Sequence, residues 1–233
     1  MSGFNIFDIV ALTFFVLAWF GYQFVLDHTG VEQRSLNKAI NAERHHWMQE
    51  MALVDNRIMD SSLQSSLQNG TAFFASTSLL AVGGSLTLLR ATDDVLIFLA
   101  EIPFGLATSR AAWDIKASGL VIIFVYAFFK FAWAYRLFNY TAVLIGSVPR
   151  PGSPRGRDPQ AAAARAARMN VVAAYHFSCG QRAFFFALAY LGWFISSYVL
   201  IVSTAWVIFV MWRRQFASDA LAALGESSAP PQA

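Results

Sequence analysis

Apolar and polar positions alternate in long blocks along this chain. Continuous apolar runs occupy residues 4–26, 71–89, 117–138 and 183–212. A helix rises about 1.5 Å per residue and a bilayer's hydrocarbon core is about 30 Å thick, so about twenty apolar residues cross it. Each run meets or nearly meets that length. The run at 118–147 anchors the reading, because only Lys130 and Arg136 are charged within it. Its far end gathers Lys130, Trp133, Tyr135, Arg136 and Tyr140. Amphipathic rings and long cationic side chains collect where a helix leaves hydrocarbon. The pattern predicts an all-α integral membrane protein, a bundle of four transmembrane helices.

Between the first two runs the period changes. Leu36, Ile40, Trp47, Met51, Val54 and Ile58 recur at spacings of three, four or seven, and charges fill the other positions. That is an amphipathic helical stripe over residues 31–69. Three arrangements suit it: lying on the membrane surface, pairing with a copy of itself, or projecting as a hairpin. Gly70 is expected to close it. The second run has a small, weakly polar interior, from Ala75 to Ser85 through Gly83 and Gly84. Small residues let helix backbones approach in lipid, so this span is expected to face protein.

The connectors have their own signals. Thr92-Asp93-Asp94 reads as a helix start, residues 95–100 as a short interfacial helix, and Pro103-Phe104-Gly105 as a break. Residues 149–159 hold prolines, glycines and Arg150, Arg155 and Arg157, a flexible basic loop. Residues 160–170 are alanine- and arginine-rich and helix-prone. Residues 217–233 are small, polar and proline-rich, and are expected to be a disordered tail after a single membrane domain at 1–216.

Composition agrees with hydrocarbon surroundings. Hydrophobic residues make up 57% and charged residues 13%, with 22 Phe and 7 Trp. The net charge of +3 comes from cations flanking apolar runs, which excludes the basic soluble face of a nucleic-acid binder. Cys179 is the sole cysteine, so no intrachain disulfide exists. Cytoplasmic segments of membrane proteins carry the Lys/Arg excess. Twelve such residues fall in or beside 31–69 and 149–182, and five (Arg90, Arg110, Lys116, Arg213, Arg214) fall on the other face. With four spans, both termini are expected to be periplasmic in a bacterial inner membrane, and Arg213-Arg214 sits awkwardly in that count.

Candidate chemistry is sparse. Glu43-x-x-His46 has a di-iron ligand spacing, but the second such pair and the extra carboxylates are missing, Glu50 being the nearest. His28 and His176 suit axial haem ligands only by depth, without an attachment motif. Lys130 is the ionisable residue expected below the interface, an anchor or an intramembrane charge. No catalytic, cofactor or metal residues are assigned.

Two blocks, YRLFNYTAVLIGSVP at 135–149 and YHFSCGQRAFFFALAYLGWF at 175–194, resemble the domain-of-unknown-function family numbered 599. Weaker echoes are ERHHWMQEM and SLQNGTAFFASTSLLAVGG. The resemblance implies a multi-pass membrane protein and transfers no catalytic residue. The blocks also place Arg136, Asn139, Tyr140, His176, Gln181 and Arg182 at the ends of two spans. Such groups need partners, so one polar network is expected there, a clasp or an anionic lipid-headgroup site. The leading expectation is a non-enzymatic oligomeric scaffold or accessory subunit, partnered by the bilayer and by copies of itself. A channel or carrier using Lys130, Thr77 and Ser78, and a membrane redox or lipid-modifying enzyme, are the alternatives.

Overall fold

The computed structural model describes residues 5–93, 109–152 and 158–226, and among these every regular element is helical. Helix α1 (Ile6–His28) leads through a short 3-10 turn (Gly30–Arg34) to α2 (Leu36–Met51). Then follow α3 (Ile58–Arg90), α4 (Arg110–Ser147), α5 (Pro159–Leu191), a 3-10 turn (Gly192–Phe194), α6 (Ser197–Phe216) and α7 (Asp219–Glu226). Four helical segments, at 6–28, 58–90, 110–147 and 197–224, are long and apolar enough to cross a membrane.

Local chemistry sets the helix starts. The Asn5 amide donates to the Asp8 carboxylate at 3.1 Å, closing the first turn of α1. Ser35 accepts the Lys38 amide at 3.2 Å, and Ser218 accepts the Leu221 amide at 3.2 Å. Pro159 opens α5, where its missing N–H leaves no bond unmade.

The polar segment 31–69 forms a hairpin, one of the three arrangements its stripe suited. α2 stops at Met51, and residues 52–57 turn the chain into α3. The expected stripe therefore breaks: Val54 and Ile58 are exposed, while Met48, outside the stripe, is buried with Met51. Gly70 does not close a helix. It lies inside α3, which runs unbroken through the boundary between polar and apolar sequence. An isolated glycine weakens a helix by only about 1 kcal/mol, which flanking residues override. The readings for 95–100 and 103–105, and for Arg155 and Arg157 in the basic loop, fall outside the described residues. The stretch expected to be a tail starts with α7, and residues beyond 226 are not described.

The apolar run at 183–212 also differs from one continuous rod. α5 ends at Leu191, the chain reverses at residues 192–196, and α6 returns. Gly192 permits the reversal. A Cβ there would lie 2.9 Å from Ser203 Oγ and Val199 Cγ1, so α6 packs directly against the turn. Ser203 then donates its hydroxyl to the Ala189 carbonyl at 2.8 Å.

The chain divides into two compact units. Unit 1 holds Met1–Gly30, Ser76–Phe128 and Gln181–Trp212. Its contacts give each helix a direction. α1 and α5 are antiparallel: Phe15 meets Tyr190 and Trp19 stacks on Phe186, with ring centroids 5.3 and 5.5 Å apart. α4 runs with α1, since Trp19 also meets Tyr126 at 5.6 Å. α3 is antiparallel to α4, with the Trp113 indole donating to the Leu88 carbonyl at 3.2 Å. Unit 2 holds Val31–Ala75, Phe129–Gly180 and Arg213–Ala233. Its core joins Met48 and Met51 of α2 to Ile145 and Val148 near the end of α4. Ala162, Ala163, Ala166 and Ala167 of α5 complete it, which explains the alanine-rich sequence as a close-packing face. The C-terminal α7 packs against α2 within this unit.

Candidate functional site

The buried polar groups of unit 2 form a lattice across four helices. Asn170 of α5 is fully buried. Its carbonyl accepts from the Arg44 guanidinium of α2, and its amide donates to Gln64 Oε1 of α3 at 3.1 Å. Gln64 in turn donates to the Phe138 carbonyl of α4 at 2.7 Å. One turn on, Gln68 donates to Asn139 Oδ1 at 2.8 Å. Beside it, the Trp47 indole donates to Asp60 at 2.7 Å. Burial lowers the proton affinity of Arg44, which stays a cation because its ordinary value is so high.

Arg57 ends this lattice at the C-terminus of α4. Its two terminal nitrogens donate to the carbonyls of Ile145, Val148 and Pro149, at 3.3, 2.6 and 3.0 Å. A helix leaves its last carbonyls without intrahelical donors, and its C-terminus carries partial negative charge. Arg57 answers both.

The residues expected to form one network are distributed differently. Arg136 and Tyr140 form a local pair one turn apart, with Nε donating to the phenol at 2.6 Å and the guanidinium 5.5 Å over the ring. Asn139 joins the lattice through Gln68. His176 lies edge-on to Trp133, centroids 6.5 Å apart, and its Nδ1 is buried without a hydrogen-bond partner. Gln181 and the buried Arg182 belong to unit 1. His28, also in unit 1, is exposed and stacks on Phe24 at 4.6 Å. Glu43, His46 and Glu50 lie on the exposed face of α2. Among the described residues no three His, Cys, Asp or Glu side chains converge as metal ligands would.

Unit 1 has its own polar knot, which sequence reasoning missed. Asp8 accepts from the Trp193 indole at 2.8 Å and the Ser197 hydroxyl at 2.5 Å. Lys116 is buried, donates to the Trp193 carbonyl at 2.8 Å and lies 5.3 Å over its ring. Asp8 one turn inside an apolar run was the available signal, but nothing local pairs positions 8, 116 and 193. An apolar groove of about 560 Å³ runs between α1 and α4, walled by Trp19, Tyr126 and Tyr190 among others.

Membrane-length helices around these two polar clusters agree with the family comparison. The model of a family described as a protein of unknown function, DUF599, matches residues 10–220. The chain belongs to the DUF599 family. No curated protein and no solved structure matches it. In this DUF599 chain the matched stretch includes the amide lattice and most of every long helix, along with Lys116, Trp193 and Ser197 of the knot, while Asp8 lies just before it. What the two clusters do chemically is hold helices in register.

Proposed function

We propose that this multi-pass membrane protein is a non-enzymatic oligomeric scaffold or accessory subunit of a bacterial inner membrane. The carrying observation is a glycine pair on α3 that no other described residue covers, on a face that also exposes Leu80. Ser76, Gly83, Gly84 and Thr87 are exposed on it, and a Cβ added at either glycine would meet nothing. Small residues in an apolar span favour close helix approach, and in lipid such packing is a main source of association. A glycine pair exposed to acyl chains alone would lose that contact, so a second copy of the chain suits it better. The Lys/Arg excess of segments 31–69 and 149–182 supports a cytoplasmic position for them. The exposed Arg136 beside Tyr140 suits the anionic headgroups of that leaflet.

Purified in mild detergent, the protein should run as a multiple of its 25.8 kDa mass. Gly83→Leu with Gly84→Leu should reduce it to monomers with its helicity intact. A wild-type monomer at native-like lipid ratios would end this reading.

A further inference from the structure

We infer that the chain crosses the membrane five times, so that its C-terminus lies in the cytoplasm, opposite its N-terminus. Three independent observations support this. The first is the reversal at 192–196. In unit 1, α5 is antiparallel to α1 where Phe186 and Tyr190 meet Trp19 and Phe15, and Trp193 reaches Asp8 at the very start of α1. α5 therefore reaches the level at which α1 begins before the chain turns. α6 then starts beside Asp8 through Ser197 and runs back along α5, with Ser203 bonded to Ala189. The run at 183–212 thus contributes the end of one crossing and all of another. A crossing of about twenty residues that ends at Leu191 contains Gln181 and Arg182, which is why apolarity alone does not mark it.

The second observation is the position of α7. This helix packs against α2, the charged helix of the segment assigned to the cytoplasm. A periplasmic C-terminus would put a bilayer between them. The third is charge. With an even number of crossings, Arg213 and Arg214 fall on the face poor in cations. With five, fourteen of the 17 Lys and Arg residues lie in or beside cytoplasmic segments, and only Arg90, Arg110 and Lys116 lie at the other end. The positive-inside bias sharpens without exception.

The test uses the full chain in cells. In a Cys179→Ala background, which removes the sole and buried thiol, Ile195→Cys and Ala220→Cys are introduced singly. A membrane-impermeant maleimide is added to intact spheroplasts and again after permeabilisation. Residue 195 should label in intact spheroplasts, and residue 220 only after permeabilisation. Labelling of 220 in intact spheroplasts, or of 195 only after permeabilisation, overturns the inference. Fusions at residue 233 give a second measurement free of the substitutions: a green fluorescent protein should fluoresce and an alkaline phosphatase should be inactive, and the reverse overturns it. Neither result depends on oligomeric state, so this inference stands or falls apart from the scaffold reading.

Discussion

Unit 1 and unit 2 draw on the same helices and share ring packing, but they differ in their polar contacts. α3, α4 and α5 each pass from one to the other. In unit 1 rings meet: Phe15, Trp19, Tyr126, Phe186 and Tyr190 interlock edge-on or stacked, beside the polar knot at Asp8, Trp193 and Lys116. In unit 2 a ring cluster of Phe74, Phe131 and Phe177 accompanies alanine faces and a lattice of amides and a guanidinium group. The difference follows from the medium. Between lipid-facing helices burial from water adds little, so shape and dispersion decide the packing. Where water competes, alanine contacts bring backbones close, and buried amides exclude every register that would leave them unpaired.

The sharpest way to separate the units is to cut the lattice at its centre. Asn170→Ala should orphan Arg44 and Gln64 together, each an unmet buried group worth about 1–3 kcal/mol. Thermal melts in detergent should fall, and hydrogen exchange should rise in unit 2 while α1 stays protected. Equal loss of protection in both units would show that they do not differ in this way.

Next come the glycines. Gly119→Ala in unit 1 would drive a Cβ into the Tyr190 phenol, and Gly180→Ala in unit 2 would place one 2.7 Å from the Phe131 ring. Overpacking typically costs about 1–3 kcal/mol. Both should lower the melting temperature, each with exchange loss confined to its own unit. Arg57→Ala follows, uncovering the carbonyls at the end of α4. It should cost about 1–2 kcal/mol and fray residues 143–148, read by exchange at those amides.

The smallest effect is expected at the exposed Asp93–Arg110 pair, 2.9 Å apart. Arg110→Ala should shift stability by less than about 0.5 kcal/mol, as surface pairs do.

The membrane class, the family blocks and the helical nature of the long runs were legible in the sequence. The site was legible only in part. Asn139 and His176 were named as polar groups needing partners, and Asn139 is paired with Gln68, which carried no signal of its own. Asp8 lay unmarked in an apolar run, and Lys116 entered only as one of five cations on the cation-poor face. The turn at Gly192 was hidden inside an apolar run with no proline or polar cluster to mark it.

Sequence alone determined what each segment can tolerate: hydrocarbon around the apolar runs, water around the charged stripe, and cations gathered toward one face. Those are properties of side chains counted over a window, and transfer free energies sum locally. Tertiary structure alone decided which positions meet: Arg44 with Asn170, Asp8 with Trp193, and α6 folded back on α5. These pairings join residues up to 185 or more positions apart. They depend on helix direction and close approach, which no local pattern encodes.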